Sequence, residues 1–538
     1  MKKIYIAFIA AIALVASLYS CSNAQFGELY PDPSKTSTAT CDKLLTGTLY
    51  AGNQNTFNSY WRMYTWDNYF GKLAQTIGFK NNSGTVYYIN DGYANDRWNN
   101  FYDILRNFRV LENVYSQDND LDNKIFVDLA EVFVIDHLSQ LVDIWGPVPY
   151  SEACYLGINF DLASSYAAYD DDKDLYTTML QRLDALYTEI GSLSGSISAN
   201  TKSKLAKQDF LCLGDLDMWQ RYCNTLMLRL AVHVSANGTL TSTGKQYAST
   251  AASRKLVTDL DNSIMAKSDN DGFKYYENFR DGYKDINNTA SQAIIDAMQI
   301  TGVDDPRLKV IYVPGEDGLY HGYSTYETDE QQNERAGSAH NTEETRYYAR
   351  LNGKTFTYNN FMESPVMSAA EAWFLLAEAY QQGYASGNAE TAFKKGVEMS
   401  IKAYYKSNMN SQQTQTSSSV QANDFKATEY PSDASIETYA TEVWGAYSNK
   451  LEAIMTQKWV HFGILQATQA WTDIRRTGYP SLYYPADGAD NNGYKTVTQR
   501  VKYPNTEASN NAENYAAAAA MTNNDSPYHS LFWAKTIN

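Results

Sequence analysis

Residues 126–153 read FVDLAEVFVIDHLSQLVDIWGPVPYSEA, an apolar stretch that gives way abruptly to one containing two prolines. Its large apolar side chains recur at spacings of three to five residues, which predicts a helix with one buried face; they are Phe126, Leu129, Phe133, Leu138, Leu141 and Trp145. Glycine and proline follow directly. Because proline cannot continue a helix and glycine relaxes the turn, this helix is predicted to end sharply at Trp145.

Helical spacing of apolar residues also dominates the sequence outside this stretch. It predicts helices at Trp61–Gln75, Asp96–Tyr115, Leu175–Ile190, Asp217–Val234, Ser368–Ala379 and from Asn388 onward. A run over residues 439–465 contains no proline and predicts one long helix. The spacing of Ser368 and Glu371 predicts a capping box, in which each side chain accepts a hydrogen bond from a backbone N–H.

Few segments have the alternating pattern of a strand. Lys309–Pro314 and Tyr347–Thr357 are predicted to form short strands or irregular loops. Long polar regions at Asn237–Ala290, Asp304–Thr357 and Ser407–Glu429 interrupt the helices. The predicted fold class is all-α, with tetratricopeptide-like helix pairs and long irregular ligand-binding loops, although the usual repeat of about 34 residues is not clear in the sequence.

Composition and charge exclude several classes of protein. The chain has 538 residues, of which 44% are hydrophobic and 20% charged, an ordinary globular composition that excludes disorder. Its formal charge of −17 is opposite in sign to the basic footprint of nucleic-acid-binding proteins, so that class is excluded. Tyrosine is unusually frequent, with 44 residues against 20 phenylalanines, and its apolar face and polar edge suit partly hydrated surfaces.

The first 40 residues are typical of an exported protein. Two lysines precede an apolar run, Ile4–Leu18, which has the form of a secretory signal and is too short to span a bilayer comfortably. A serine and then Cys21 follow shortly after this run, as in bacterial lipoproteins. We therefore expect lipidation of Cys21, a signal peptide at residues 1–20, a lipid-anchored linker at residues 21–40 and a single α-helical domain at residues 41–538. The lipid anchor is the only expected contact with a membrane.

No motif for metal or cofactor chemistry is present. The six histidines form no close ligand pair, and no CxxC or GxSxG motif occurs. The sequence thus predicts no metal, no cofactor and no catalytic residue. Cys212 and Cys223 form either a local disulfide or two buried thiols, and the thiols are favoured. Acidic residues are plentiful, so the carboxylate pair of a helical glycosidase stays open as an alternative.

Aromatic residues beside amide side chains are the candidate ligand-binding residues. Trp98 lies next to Asn99 and Asn100, with Trp66 and Tyr93 shortly before them. Sugar rings have apolar CH faces edged with hydroxyls, so an aromatic face beside amide donors and acceptors suits them. Packing between helices is the alternative for any single ring, and Trp66 in particular is compatible with the core. Trp98 is expected to be exposed because it lies near a predicted helix start.

A second group of candidates lies in the polar region between residues 304 and 357. Its members are Tyr320, Tyr323 and Tyr326, with Tyr312 shortly before them. Long loops within a compact domain are often functional, so these tyrosines are also expected to be exposed.

Several segments, in chain order, resemble the SusD/RagB-like family of lipoproteins. The segments that carry the resemblance are Asp32-Pro33, Leu44–Gly47, Val142–Ala153, Leu226–Ala231, Ser368–Ala379, Gln457–Trp459, Trp471–Pro480 and Arg500–Glu507. Most are expected to be structural. In particular, Arg475 and Arg476 precede a Thr-Gly-Tyr-Pro turn and are expected to favour a helix C-terminus by their charge rather than to bind ligand.

The resemblance implies a non-enzymatic, lipid-anchored protein of the outer membrane that faces the cell exterior. It implies capture of an oligosaccharide or polysaccharide by aromatic stacking and delivery to a SusC-like TonB-dependent transporter. Ligand contacts are expected in the region of Trp98 and in the loop at residues 312–326. Three alternatives remain: capture of a peptide or other nutrient with the same type of transporter, a helical glycoside hydrolase, and a lid whose main partner is the transporter.

Overall fold

The computed structural model describes residues 39–56, 62–79, 84–267, 290–337, 346–357, 359, 361–411, 424–488 and 493–535. The predicted signal peptide, Cys21 and the linker up to residue 38 lie outside these residues, so lipidation stays a prediction. The described residues are mainly helical with a few short strands, which confirms the predicted all-α class. Within this part of the chain, no helix combines the length and the apolarity that a bilayer crossing requires.

Most predicted helices of the first half are present. The described α-helices before residue 263 are α1 (Cys41–Ala51), α2 (Asn53–Thr56), α3 (Asn68–Leu73), α4 (Asp91–Asp118), α5 (Leu121–Trp145), α6 (Leu156–Asn159), α7 (Asp172–Ser196), α8 (Ala199–Gln208), α9 (Leu216–Ser235) and α10 (Thr241–Ala252). A π-helical turn at Arg62–Asp67 precedes α3, and 3₁₀ turns lie at Leu162–Ser165 and Leu260–Asn262. One boundary matters later: α4 begins at Asp91 rather than at the predicted Asp96.

The second half adds further helices and the strands. The described helices are α11 (Gln292–Met298), α12 (Leu308–Ile311), α13 (Asp329–Arg335), α14 (Ala369–Gln381), α15 (Ala389–Asn410), α16 (Asp433–Ala446), α17 (Lys450–Phe462), α18 (Ala467–Thr477), α19 (Asn505–Asn510) and α20 (Ala512–Met521). The strands β1 (Ile264–Ala266) and β4 (Ser364–Met367) form one antiparallel pair, and β2 (Tyr312–Val313) and β3 (Arg350–Leu351) form another. The short strands predicted near residues 312 and 350 are thus confirmed.

Consecutive helices pack against each other and enclose the core. α4 packs on α5, α9 on α10 and α14 on α15, and buried apolar side chains from Cys41 to Trp533 form one continuous cluster. The polar regions predicted to interrupt the helices are partly ordered as short elements, since α10 lies in the first of them and α12 and α13 lie in the second.

The predicted continuous helix at residues 439–465 is wrong. Helix α16 ends at Ala446, and Tyr447 has extended backbone with φ −100° and ψ 126°. Asn449 then caps α17, its side chain accepting a hydrogen bond of 3.1 Å from the backbone N–H of Leu451. Because an asparagine side chain competes for backbone hydrogen bonds, it favours a helix start over a helix interior, and the absence of proline does not outweigh this.

The capping box predicted at the start of α14 is wrong in its second half. Ser368 accepts the hydrogen bond from the Glu371 N–H at 3.1 Å, as predicted. The Glu371 carboxylate instead lies fully buried and accepts bonds of 2.6 and 2.8 Å from Arg229. A charged guanidinium in the core binds a carboxylate more strongly than a backbone N–H does, so the ion pair prevails.

The sharp end of α5 is confirmed. Gly146 has φ +84°, a left-handed value that glycine adopts without strain, and the backbone leaves the helix at this residue. A later segment bonds the carbonyls that the helix leaves unpaired here. Arg500 Nε donates to the Trp145 carbonyl at 3.0 Å, and the Tyr503 hydroxyl donates to the Pro147 carbonyl at 2.8 Å. The helix end therefore serves as a docking point for residues 500–503.

A buried arginine cluster, made of Arg476, Glu378, Asp473 and Lys458, lies at the end of α18. Arg476 is 1% exposed and donates to Glu378 at 2.9 Å and to Asp473 at 2.7 Å. Lys458 lies 2.9 Å from the other Asp473 oxygen. Burial alone would raise the pKa of Asp473, but Lys458 and Arg476 lower it well below its usual range. Arg476 is thus structural, but it acts through buried ion pairs with Glu378 and Asp473, whereas the sequence predicted a charge at a helix C-terminus.

The four cysteines within the described residues are free thiols. Cys41, Cys154, Cys212 and Cys223 form no disulfide, and both members of the candidate pair are buried. Burial raises the pKa of Cys212 and of Cys223, which keeps these thiols protonated. The favoured interpretation, two buried thiols, is confirmed.

Candidate functional site

The expected exposure of Trp98 is wrong. Its side chain is 2% exposed and packs against Tyr102, Trp145 and Tyr503, with ring centroids 5.3, 5.4 and 6.0 Å away. The reason is the early start of α4, which places Trp98 about two turns into the helix on the face that meets α5. No ring face is left for a ligand, so we do not carry Trp98 into the candidate site.

The residues around Trp98 belong mostly to the core as well. Trp66 is buried, stacks on Phe70 at 5.4 Å and meets Trp145 edge-on at 6.0 Å, so the packing alternative applies to it. Asn100 is buried and donates to the Ala51 carbonyl at 3.0 Å. The neighbouring Asn99 is exposed, and Tyr93 is half-buried with Tyr64 edge-on at 6.0 Å: Asn99, Tyr93 and Tyr64 thus lie nearer solvent.

The tyrosines of the second group divide by burial. Tyr312 and Tyr323 are buried, so their expected exposure is wrong: the first lies in β2 and the second stacks on Tyr348 at 4.0 Å. Tyr320 is half-buried, and burial together with Asp304 raises its pKa to about 12. Tyr326 is 78% exposed, which confirms the expectation for that residue.

Tyr326 does not stand alone on the surface. Its ring stacks on Tyr483, with centroids 4.6 Å apart and an angle of 11° between the planes. Tyr483 is itself 47% exposed. Sequence reasoning missed Tyr483, although the run Tyr483-Tyr484-Pro485 after a Gly-Tyr-Pro turn repeats the aromatic bias that marked the other candidates. The two rings thus lie in nearly parallel planes, one against the other, and both are exposed to solvent; we call this pair the aromatic platform.

The backbone that carries Tyr483 is firmly held. Gln75 donates to the Tyr483 carbonyl at 2.7 Å, and the Tyr484 hydroxyl donates to the Leu73 carbonyl at 2.7 Å. The Tyr87 hydroxyl donates to the Pro485 carbonyl at 2.5 Å. Neighbouring tyrosines are thus turned inward as anchors, while Tyr483 is displayed outward.

The buried carboxylate of Asp487 joins this segment to the loop before α4. It accepts hydrogen bonds from the backbone N–H groups of Gly84 and Val86 at 2.9 and 3.0 Å. Two residues further along this loop, Tyr88 lies half-buried beside Tyr494, with ring centroids 5.6 Å apart. Asp487 also donates its backbone N–H to the carbonyl of Lys495, next to Tyr494, at 2.9 Å. Because these bonds join the loops of Tyr483, Tyr88 and Tyr494, we call the set Tyr326, Tyr483, Tyr88 and Tyr494 the tyrosine surface.

The loop that carries Tyr326 is also fixed in place. Tyr323 exchanges backbone bonds with its surroundings, donating to the Ala290 carbonyl at 2.8 Å and accepting from the Gln292 N–H at 2.9 Å. Close to it, Glu327 is paired with Arg335 and accepts a bond from the Tyr348 hydroxyl at 3.3 Å. The Glu327 carboxylate, next to Tyr326 in sequence, therefore holds the loop in place.

The described residues hold no metal centre. No group of three or more histidine, cysteine, aspartate or glutamate side chains in this part of the chain could hold a metal ion. The arrangement at the tyrosine surface is instead suited to reversible contact, with rigid apolar ring faces and hydroxyl edges at the border of solvent.

Comparison with known proteins identifies relatives over nearly the whole chain. A family model for SusD-like proteins, described as Susd and RagB outer membrane lipoprotein, matches residues 42–534. No curated protein matched the sequence.

Solved structures share the fold at low identity. A chitin-binding protein has 22% identity and a TM-score of 0.72, over 92% of this chain and 100% of that one. A SusD homologue from Parabacteroides distasonis has 20% identity and a TM-score of 0.69, over 93% and 99%. A chitin-binding SusD homologue from Flavobacterium johnsoniae has 19% identity and a TM-score of 0.66, over 92% and 99%.

Proposed function

Because the chain belongs to the SusD-like family of outer-membrane lipoproteins, we propose that it captures an oligosaccharide or polysaccharide at the tyrosine surface. The stacked, exposed pair of Tyr326 and Tyr483 carries this proposal. Pyranose rings have apolar CH faces of about the size of a phenol ring, and hydroxyls around their rim. A sugar can therefore lie on either ring while its hydroxyls reach the tyrosine hydroxyls and water.

The rigidity of the supporting loops favours this function. Both loops are held by hydrogen bonds from buried side chains or backbone, so little conformational entropy is lost when a sugar stacks on the rings. The platform is shallow, so few ligand atoms are fully enclosed and the affinity for one short saccharide is modest. Two of the structurally similar proteins are described as chitin-binding, which supports a saccharide as the ligand class.

Capture of this kind is the first step of uptake. We propose that Cys21 carries the lipid anchor, that the protein faces the cell exterior, and that it passes saccharide to a SusC-like TonB-dependent transporter. The mature protein needs no attraction to anionic lipid in this arrangement, because acyl chains on Cys21 hold it on the membrane.

Affinity electrophoresis tests the proposal. The protein comprising residues 22–538 is run in native gels that contain different polysaccharides, beside Tyr326→Ala and Tyr483→Ala variants. We expect one polysaccharide to retard the protein, and each variant to bind roughly tenfold more weakly because one ring of the stack is lost. Tyr166→Ala is the matched control, since Tyr166 is 53% exposed and lies outside the tyrosine surface.

Each outcome assigns the function differently. If a polysaccharide retards both variants as strongly as the unaltered protein, saccharide capture stands but its site lies outside the tyrosine surface. Retardation by none of the polysaccharides would contradict the proposal and favour the peptide or lid alternative. Peptide binding then distinguishes the two, because a lid co-purifies with a barrel protein but binds no peptide, whereas a peptide-capturing protein binds both.

A further inference from the structure

A surface cleft, separate from the tyrosine surface, lies between α12, α15 and the segment before α16. Its lining comprises Pro306, Lys309, Tyr405, the segment Phe425–Pro431 and Ser435. The cleft has a volume of about 410 Å³, which falls within the roughly 300–1,000 Å³ of small-molecule sites. None of its lining residues belongs to the tyrosine surface. We call it the Phe425 cleft.

Two aromatic rings of the Phe425 cleft face solvent. Phe425 is 42% exposed and Tyr430 is 40% exposed. Tyr405, on the floor of the cleft, is buried and donates its hydroxyl to the Pro306 carbonyl at 3.1 Å. Single exposed aromatic residues are common, but two on one short segment that borders a cleft of ligand size form a recognisable binding feature.

The backbone that presents Phe425 is strongly anchored. The buried carboxylate of Asp424 accepts two bonds of 2.6 Å from the Arg350 guanidinium. The Phe425 carbonyl accepts bonds from Asn352 at 2.9 Å and from Asn408 at 3.1 Å. The backbone at Phe425 is thus held by two asparagine side chains, while 42% of Phe425 stays exposed. A ring fixed in this way loses little freedom on binding.

The charge of the Phe425 cleft differs from that of the chain as a whole. Its lining carries two cations, Lys309 and Lys426, and one anion, Glu429, so it has a net charge of +1 in a chain of −17. The Lys309 ammonium lies 4.8 Å from the centroid of the Phe425 ring. The Lys426 ammonium is held on the Ser411 carbonyl. Lys309 therefore lies against the exposed Phe425 ring, and Lys426 contributes a second positive charge to the same lining.

We propose that the Phe425 cleft is a second saccharide site that takes an acidic sugar residue. The sugar ring stacks on Phe425 or Tyr430, and its carboxylate or sulfate group lies against Lys309 and Lys426. This inference rests on the proposed function, saccharide capture, and adds a second point of attachment for the same class of ligand. A polymer that reaches both sites is held more tightly than either site alone allows.

Isothermal titration calorimetry with short probes separates the two sites. The probes are a uronic-acid oligosaccharide, a sulfated oligosaccharide and a neutral oligosaccharide of equal length. They are titrated into the protein comprising residues 22–538, a Tyr326→Ala/Tyr483→Ala variant and a Phe425→Ala/Tyr430→Ala variant. We expect an acidic probe to bind the first variant undiminished and the second at least about tenfold more weakly. Lys309→Gln is expected to weaken the binding of an acidic probe and leave that of the neutral probe unchanged.

The outcomes distinguish this inference from the proposed function. If the Tyr326→Ala/Tyr483→Ala variant binds no probe while the unaltered protein binds one, the function stands and the second site is overturned. If the Phe425→Ala/Tyr430→Ala variant alone loses binding of an acidic probe, the second site stands whatever the tyrosine surface does. Equal binding of neutral and acidic probes at the Phe425 cleft overturns the acidic preference. No binding of any probe to the unaltered protein or to either variant overturns the second site, and gel retardation by polysaccharides decides the proposed function separately.

Discussion

Arg476 of the buried arginine cluster and Tyr483 of the tyrosine surface lie seven residues apart in the chain, yet their surroundings are opposite. Arg476 is 1% exposed and paired with Glu378 and Asp473, whereas Tyr483, just beyond the turn that ends α18, is 47% exposed. At this point of the chain a charged side chain lies in the interior and an aromatic one at the surface. This reverses the usual expectation, because the charges fix the fold and the rings are free to serve a ligand.

The difference teaches that a distinctive motif can identify a fold without identifying its site. The Arg-Arg-Thr-Gly-Tyr-Pro segment is the most recognisable stretch of the chain, and its arginines are enclosed by acidic and aromatic side chains. The tyrosine surface has no motif and arises from loops distant in sequence. Four experiments break or sharpen this contrast.

Breaking the arginine cluster has the largest expected effect. In an Arg476→Met variant, Glu378 loses its partner, and the buried Asp473 keeps only Lys458. Removal of one member of a buried ion pair costs about 3–5 kcal/mol, so we expect a loss of that size in the free energy of unfolding. Urea denaturation measures it.

An exposed ion pair is the matched control for the arginine cluster. Arg106 pairs with Asp103 on α4 at 2.9 Å, with side chains 64% and 49% exposed. Arg106→Met is expected to change the free energy of unfolding by less than about 0.5 kcal/mol. An equal loss in the two variants would contradict the distinction between interior and surface charge.

Acid should lower the free energy of unfolding by protonating a histidine that is buried and neutral in the folded protein. His461 is buried between the hydroxyls of Ser368 and Ser400, at 2.7 and 3.0 Å. Burial, aided by Arg307 and Lys458, lowers the pKa of His461 from 6.5 to about 3. The unfolded chain therefore binds more protons between these values, and stability falls as the pH drops, by roughly 3 kcal/mol between pH 6.5 and about 4.

A variant isolates the contribution of His461 to this pH dependence. His461→Gln keeps polar contacts with both serines and cannot be protonated, so its stability should depend less on pH across the same window. Unfolding free energies of the two proteins at several pH values give the difference. Parallel curves for the two proteins would rule out His461 as the cause.

Trp98→Phe separates packing from binding. The smaller ring leaves a void beside Trp145, so we expect a loss of about 1–2 kcal/mol in the free energy of unfolding. Saccharide affinity of the folded variant should stay unchanged, because Trp98 is buried. Calorimetric titration of the folded variant checks this. A weaker affinity in a variant that is fully folded would mean that Trp98 contributes to the binding site.

Tyr87→Phe has the smallest expected effect. It removes the hydroxyl that holds the Pro485 carbonyl and leaves the ring in the core. We expect a loss of about 0.5–1.5 kcal/mol in the free energy of unfolding and a weakening of saccharide affinity of less than about tenfold, since Tyr483 is less firmly held. A loss of affinity as large as that of Tyr483→Ala would mean that the anchor, and not the exposed ring, dominates binding.

The sequence predicts the helices well because each depends on local spacing. The apolar periodicity and the Gly-Pro stop of α5 act over a few residues, so the end of this helix at Trp145 could be foreseen. An error of a few residues in a predicted helix start changes whether a side chain is expected at the exposed end of the helix or within it. The start of α4 at Asp91 places Trp98 inside rather than at the rim.

The candidate site could be predicted only in part. Tyr326 was foreseen as exposed because a polar loop surrounds it, but its stacking partner comes from a different loop. Sequence spacing carries no information on which distant loops meet, and tyrosine serves equally well as an anchor or a platform. Tyr87 and Tyr483 illustrate this: one is fully buried with its hydroxyl bonded, and the other is displayed.

The cluster of Trp66, Trp98 and Trp145 has an optical consequence. Trp145 lies 6.0 Å from the first ring and 5.4 Å from the second, close enough for the electronic transitions of the indoles to couple. Near-ultraviolet circular dichroism of the folded protein should show a tryptophan couplet that vanishes on unfolding. The aromatic platform contains only phenol rings, so a saccharide should perturb tyrosine absorption and leave the indole bands unchanged. Folding and ligand binding can then be followed in one sample at separate wavelengths.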